Sequence, residues 1–218
     1  LAVTAEKTQA AARRLVQDAG HADLAVLNFA SATKPGGGFL RGARAQEEDL
    51  ARASGLFRCL QTQPAYYQAN REDASPLYTD HLIHSPAVPW IRDGDLGLLP
   101  EPYLAAVITA PAPNAARLAG RGGGLTSAQR DRVRTTLARR AGLVLAVAAA
   151  QGHRTLLLGA WGCGVFGNDP RVVADVWLRQ LCGRRFAGCF DRVEFAVFDP
   201  TDDRRILAAF RERVPGAR

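Results

Sequence analysis

Leu24-Ala25-Val26-Leu27-Asn28-Phe29, then Pro35-Gly36-Gly37-Gly38, then Gln46-Glu47-Glu48: these three pieces within 25 residues decide how the chain folds. The first is a short apolar run, of the length and composition of a strand buried on both faces. The second removes three side chains in succession after a proline, leaving backbone that is free to take positive φ and to turn its N–H groups outward as a cradle for phosphate or ribose. The third opens a segment, Gln46 to Leu60, with apolar residues at Leu50, Ala53, Phe57 and Leu60, the spacing of a helix packed by one face. Strand, glycine loop and helix follow in the order of an open α/β sheet, in which ligands bind beyond the carboxyl ends of the strands.

The rest of the chain repeats that alternation. Thr4 or Ala5 to Ala19 reads as an amphipathic helix with Ala11, Leu15 and Val16 inward and Gly20 as its C-cap, so that residues 1–20 form an N-terminal helical extension. Residues 61–76 carry turn formers around Tyr66 and Tyr67 and read as a surface excursion. His81 to Ile91, interrupted by Pro86 and Pro89, suits an edge strand with a bulge. Val107 to Thr109 marks another strand, and the loop after it holds a second glycine cluster, Gly120 to Gly124, with no carboxylate behind it. Thr126-x-x-Gln129 has the form of a capping box at the head of a long helix reaching Gln151. The arginines of that helix, 130, 132, 134, 139 and 140, spread over more than one side and read as a solvated surface. Thr155 to Leu158 reads as a central strand, Asp169-Pro170 as a helix start, Val193 to Phe198 as the last strand, and Asp203 to Val214 as the last helix. The expectation is one domain over residues 1–218, a three-layer α/β/α sandwich with a mixed central sheet.

Composition narrows the chemistry. With 218 residues, 47% hydrophobic and 22% charged, the chain can bury one sizeable core, and no run of 18 apolar residues suggests a membrane span. No signal peptide is visible, and a chain that opens at Leu1 without any methionine leaves its natural N-terminus open. A formal charge of +7 attracts a polyanion without choosing among nucleic acid, anionic membrane and other phosphate polymers. Cys59, Cys163, Cys182 and Cys189 form no Cys-x-x-Cys pair and have no histidine at zinc spacing, so they read as reduced and metal-free, which makes the cytoplasm the default compartment.

GGG, seven residues, then QEE is similar to the signature of the poly(ADP-ribose) glycohydrolases, and Asn28-Phe29-Ala30-Ser31 resembles the asparagine-rich motif of macrodomains. A second stretch, Gly159-Ala160-Trp161-Gly162-Cys163-Gly164-Val165-Phe166-Gly167-Asn168, follows in family order. The likeness runs on through Ser85 to Pro89 and Ala110 to Asn114 to Phe198-Asp199. It points to a bacterial-type, macrodomain-like glycohydrolase. What the resemblance implies is a hydrolase that cleaves the ribose–ribose bonds of poly(ADP-ribose), part of the reversal of ADP-ribosylation in the DNA damage response, with no metal or redox cofactor.

It places the general acid/base at Glu48 and leaves Glu47 to hold ribose hydroxyls. Substrate contacts then fall on Asn28, Ser31, Gly36, Gly37, Gly38, Gln46, Gly162, Cys163, Gly164, Val165 and Phe166, with Phe198 stacking on adenine. Ser31 departs from the second asparagine common in macrodomains. Cys163 has no spaced histidine to activate it and reads as a small residue in a tight loop rather than a nucleophile.

Chemically, such a cleavage needs a proton for the departing 2′-oxygen, support for an oxocarbenium-like centre and an activated water, work that a carboxylate pair can share. The expected partners are poly(ADP-ribose), ADP-ribose and poly-ADP-ribosylated proteins, met by a monomer, with no membrane and no specific nucleic acid. Two other readings stay open. A non-catalytic ADP-ribose reader would share the sandwich and the loops without needing two adjacent glutamates. A basic nucleic-acid binder would show steep salt dependence that ADP-ribose does not compete away.

Overall fold

The computed structural model describes residues 1–120 and 123–214. Arg121 and Gly122, in the middle of the second glycine cluster, lie outside the described residues. Six strands form one mixed sheet: β1 (Ala2–Thr4), β2 (Leu24–Phe29), β3 (Ile83–Arg92), β4 (Leu98–Ala110), β5 (Thr155–Gly159) and β6 (Arg192–Ala196). Their order across the sheet is β1-β6-β5-β2-β4-β3, all neighbours parallel except the β3–β4 hairpin. The carboxyl ends of β6, β5, β2 and β4 therefore share one edge.

Alternation along the strands separates the two faces. Ala25 and Leu27 of β2 and Leu156 and Leu158 of β5 point to a core shared with α6 (Ser127–Ala150), α7 (Pro170–Leu181) and α8 (Arg205–Arg213). Leu24, Val26 and Leu157 point to the opposite core, under α1 (Thr8–Arg13), α2 (Gln46–Ala53), α3 (Leu56–Gln61) and α4 (Pro64–Asp73). A short α5 (Ala115–Ala119) follows β4. The result is the expected α/β/α sandwich.

Several local expectations hold for the reasons that suggested them. Thr126 and Gln129 make the full capping box ahead of α6, Asp169 accepts from Arg171 N–H with Pro170 in the first turn of α7, and β3 shifts register between Ser85 and Val88. Others are corrected. The N-terminal helix begins only at Thr8 and continues from Arg14 to Asp18 with wider π-type turns, while Ala2 to Thr4 is a strand lying parallel to β6. Residues 1–20 thus contribute to the sheet itself.

The single helix expected from Gln46 to Leu60 breaks at Ser54-Gly55. Ser54 Oγ bonds back to the Leu50 carbonyl, Gly55 N–H goes to the Pro89 carbonyl at 2.8 Å, and a Cβ on Gly55 would meet the Pro89 ring at 2.8 Å. The supposed excursion is α4, with Tyr66 and Tyr67 buried. Arg140 is no surface arginine. Fully buried, it donates to the carbonyls of Pro111, Leu77 and Tyr78 and to Asp80, and so pins α6 to the loops beside β4.

Candidate active site

Asn28, at the carboxyl end of β2, is buried and aims its amide at the head of α2. Its Nδ2 donates to Glu47 Oε1 and to Thr109 Oγ1, both at 3.2 Å, while its Oδ1 has no partner among the described residues. Gln46 clamps the same helix to the same strand, accepting from Phe29 N–H at 2.9 Å and donating to the Leu27 carbonyl at 2.8 Å and to Thr8 Oγ1 at 3.3 Å. With its amide engaged at both ends, Gln46 ties the head of α2 to β2. Ala45 caps α2 without a side-chain bond, so the first-turn acids Glu47, Glu48 and Asp49 meet the positive end of the helix directly.

The two glutamates differ in their surroundings. Glu47 is 3% exposed and accepts Ser31 N–H at 2.7 Å as well as the Asn28 amide at 3.2 Å. Burial outweighs these donors and the neighbouring charge of Glu48 adds to it, so the Glu47 carboxyl is pushed up to about 8. Glu48 is half-buried, its Oε1 held by Gly38 N–H at 2.9 Å and its Oε2 without a protein partner among the described residues. Both carboxylates converge above Gly37, where a Cβ would meet Glu47 Oε2 at 3.2 Å and lie closer still to Glu48 Oε1.

The glycine loop thus does something other than expected. Two of its N–H groups are not turned outward to cradle phosphate: Gly37 N–H closes a turn on the Lys34 carbonyl, and that of Gly38 holds Glu48. Positive φ at Gly36 and Gly37 is what makes this wrap possible. Ser31 Oγ is occupied in accepting from Lys34 N–H at 3.2 Å and, at longer range, Thr33 N–H, which shapes the entry to the loop.

The second loop, after β5, has the outward donors. Among the described residues the N–H groups of Gly162, Gly164, Val165 and Phe166 have no protein acceptor, whereas Cys163 N–H is bonded to the Ala160 carbonyl. Burial drives the Cys163 thiol well above its usual range, so Cys163 offers a ligand neither a free backbone donor nor a thiolate. Asn168, buried at the end of the stretch and given no role by the sequence, sets the loop: its Nδ2 donates to the Pro113 carbonyl at 2.9 Å and the Gly162 carbonyl at 3.2 Å. Val165 is 84% exposed at the tip. Phe166 packs against Tyr78 with ring centres 6.0 Å apart, and Phe198, 54% exposed just past β6, has Lys7 Nζ 5.6 Å from its ring centre. Tyr66 and Tyr67, both buried on α4, carry no signal in the sequence, because the turn formers around them have the pattern of a surface excursion.

A carboxylate pair at β2, free N–H groups after β5 and an exposed aromatic after β6, all on the carboxyl edge of an α/β/α sandwich, define a macrodomain-like protein with a two-glutamate site. The comparisons with known proteins go further. The family model described as microbial-type PARG, catalytic domain, matches residues 1–93. Among solved structures, the poly(ADP-ribose) glycohydrolase of Deinococcus radiodurans in complex with ADP-ribose is 50% identical, covers 98% of this chain and 83% of its own, and superposes with a TM-score of 0.88. The poly(ADP-ribose) glycohydrolase of Thermomonospora curvata bound to the inhibitor ADP-HPD is also 50% identical, with coverages of 98% and 78% and a TM-score of 0.91. No curated protein matches. The chain belongs to the microbial-type poly(ADP-ribose) glycohydrolase family.

Proposed function

We propose that Glu48 is the proton-transferring carboxylate of this poly(ADP-ribose) glycohydrolase and that Glu47 positions the ribose beside it. The enzyme cleaves ribose–ribose O-glycosidic bonds and releases ADP-ribose, the ligand with which its Deinococcus relative was crystallised. The observation that carries the division of labour is the contrast between the two side chains. Glu47 is buried with donors on both oxygens, whereas Glu48 has one oxygen fixed by Gly38 N–H and the other free.

Glu48 gives its proton to the leaving 2′-oxygen as the C1–O bond breaks, and then, as carboxylate, takes a proton from the water that adds to C1. Glu47, held near neutrality of charge by burial, offers a hydroxyl donor and an acceptor to ribose. The free N–H groups of Gly162, Gly164, Val165 and Phe166 take the diphosphate, with the positive end of α7 close behind the loop. Phe198 stacks on adenine and Phe166 covers the ribose. Asn28 supports Glu47 and keeps an acceptor free.

Residues 1–218 act as one domain and as a monomer on poly-ADP-ribosylated proteins. Four free cysteines suit a reducing cytoplasm, and no helix among the described residues is long and apolar enough to cross a membrane. No group of three or more metal-ligating side chains occurs among the described residues.

The test is Glu48→Gln. Wild type releases free ADP-ribose from the polymer; the variant loses at least about a thousandfold in rate while its affinity for ADP-ribose stays within about threefold, because a proton transfer is removed and a shape kept. Equal turnover by the variant would take Glu48 out of the chemistry. Binding without release by wild type would make the protein a reader.

A further inference from the structure

The substrate has a direction on this sheet. The free N–H groups after β5 and the exposed Phe198 after β6 lie to one side of β2, while the carboxylate pair stands at β2 itself. A terminal ADP-ribose laid from Glu48 toward Phe198 sends the rest of the polymer, carried by the leaving 2′-oxygen, to the other side, toward β4, β3 and α3. A cleft is waiting there. About 310 Å³ in volume, it opens between the Pro35–Arg41 turn and α3, and Gly37 and Gly38 form part of its wall. Those are the same two glycines that touch the glutamate carboxylates, so the cleft begins where the reaction centre ends.

Its lining has two chemistries. Phe57, half-buried on α3, and Leu40, 76% exposed, give an apolar floor and lip. Lys34 and Arg41 stand at the rim, and neither makes a side-chain ion pair among the described residues, although Arg52 nearby is paired with Asp49. An exposed leucine beside unpaired cations and a reaction centre is a surface matched to a ligand with one flat apolar part and one dianionic part. An ADP-ribose unit has both. Rigid packing of Phe57 against Phe39, with ring centres 4.7 Å apart, keeps the floor in place.

We propose that this cleft is the subsite for the ADP-ribose unit on the leaving-group side of the scissile bond, with Phe57 and Leu40 receiving its adenine and Lys34 and Arg41 its diphosphate. The proposal rests on the glycohydrolase reading above. It makes the enzyme grip two consecutive units, one on each side of the bond, and it makes Lys34 and Arg41 contributors to polymer affinity and not to the binding of free ADP-ribose.

The test compares two substrates: poly(ADP-ribose), and an ADP-ribose whose C1″ carries a small aryl alcohol in place of the next unit. The Lys34→Glu/Arg41→Glu double variant is set beside a control with the same charge change on α6, Arg132→Glu/Arg134→Glu. At low salt, KM for polymer rises about tenfold in the first variant and by less than about twofold in the control, with kcat held in both. KM for the aryl substrate and Kd for ADP-ribose stay within about twofold of wild type throughout. Leu40→Asp likewise raises KM for polymer alone.

Three results overturn the subsite: polymer KM unchanged in the Lys34/Arg41 variant, both substrates weakened together, or both double variants weakened alike through long-range charge. A wild-type protein that hydrolyses neither substrate overturns the glycohydrolase reading and this one with it. Hydrolysis of both with unchanged polymer KM in the variant overturns the subsite alone.

Discussion

Glu47 carries an ionisable group to a place almost closed to solvent, at 3% exposure, and that has a consequence for stability. The unfolded carboxyl titrates near 4.3, whereas burial holds the folded one at about 8. Below both values the group is protonated in either state and the neutral burial is fully favourable. Between them the folded protein keeps a proton that the unfolded chain has given up, so stability falls by about 1.4 kcal/mol per pH unit until the folded group ionises. Wild type should therefore lose stability relative to Glu47→Gln between about pH 5 and about pH 8, by on the order of 4 kcal/mol, read from urea unfolding of both proteins. A difference that does not change with pH would show that Glu47 is ionised in place. Gly37 sets a second condition at this scale. Its φ of 59° and the carboxylates that a Cβ would strike leave room for glycine alone. Gly37→Ala should cost about 1–2 kcal/mol in stability and at least about a hundredfold in turnover, since it displaces both acids at once. Unaltered turnover would mean that the pair does not need its wrap.

Among the elements, α6 shows how a helix far from the chemistry holds the site. Arg140 reaches from its middle to three backbone carbonyls and to Asp80, and one of those carbonyls belongs to Tyr78, the residue packed on Phe166. Burial lowers the Arg140 pKa, and Asp80 offsets part of that cost. Arg140→Leu should destabilise by on the order of 3 kcal/mol, because carbonyls lose their donor in the interior, and should also weaken ADP-ribose binding through Tyr78 and Phe166. Thermal unfolding and calorimetry read the two effects separately; a stable variant with intact affinity would make Arg140 dispensable. Sequence pattern alone places α6 well, since Thr126 and Gln129 declare its start and its second half is apolar. It cannot place Arg140, because a buried arginine is chosen by carbonyls 29 and 63 residues away. The same limit explains the break at Ser54-Gly55. Helical periodicity persists across it, and only the approach of Pro89 from β3 forces the chain out of the helix. β1 escaped notice because three residues carry no period of their own until β6 lies beside them.

Over the whole molecule, what the sequence made legible was the order of strand, glycine loop and helix, and with it the edge at which the motifs would meet. Hidden from it was the division of labour between the loops. GGG and Gly-Cys-Gly-Val look alike as anion cradles, yet the first spends Gly38 N–H on the Glu48 carboxylate and Gly37 N–H on the Lys34 carbonyl, whereas the second, shaped by Asn168 and the Pro113 carbonyl, leaves those of Gly162, Gly164 and Val165 without an acceptor among the described residues. The ligand is therefore expected to bridge strands that the sheet alone joins only through backbone bonds: β2 through the glutamates, β5 through the free N–H groups, β6 through Phe198. Such bridging can be measured as stabilisation. At a hundred times its dissociation constant, ADP-ribose should add about 2.7 kcal/mol to wild type, a rise of roughly 5–10 °C in Tm for a chain of this size. Phe198→Ala removes an exposed ring, so the ligand-free Tm should move by no more than about 1 °C. Loss of the adenine stack, worth about 1–3 kcal/mol, should nevertheless shift the ADP-ribose concentration needed for half the stabilisation upward by about tenfold or more. Superimposable Tm curves for the two proteins at every ADP-ribose concentration would place the adenine elsewhere and confine the ligand to the edge between β2 and β5.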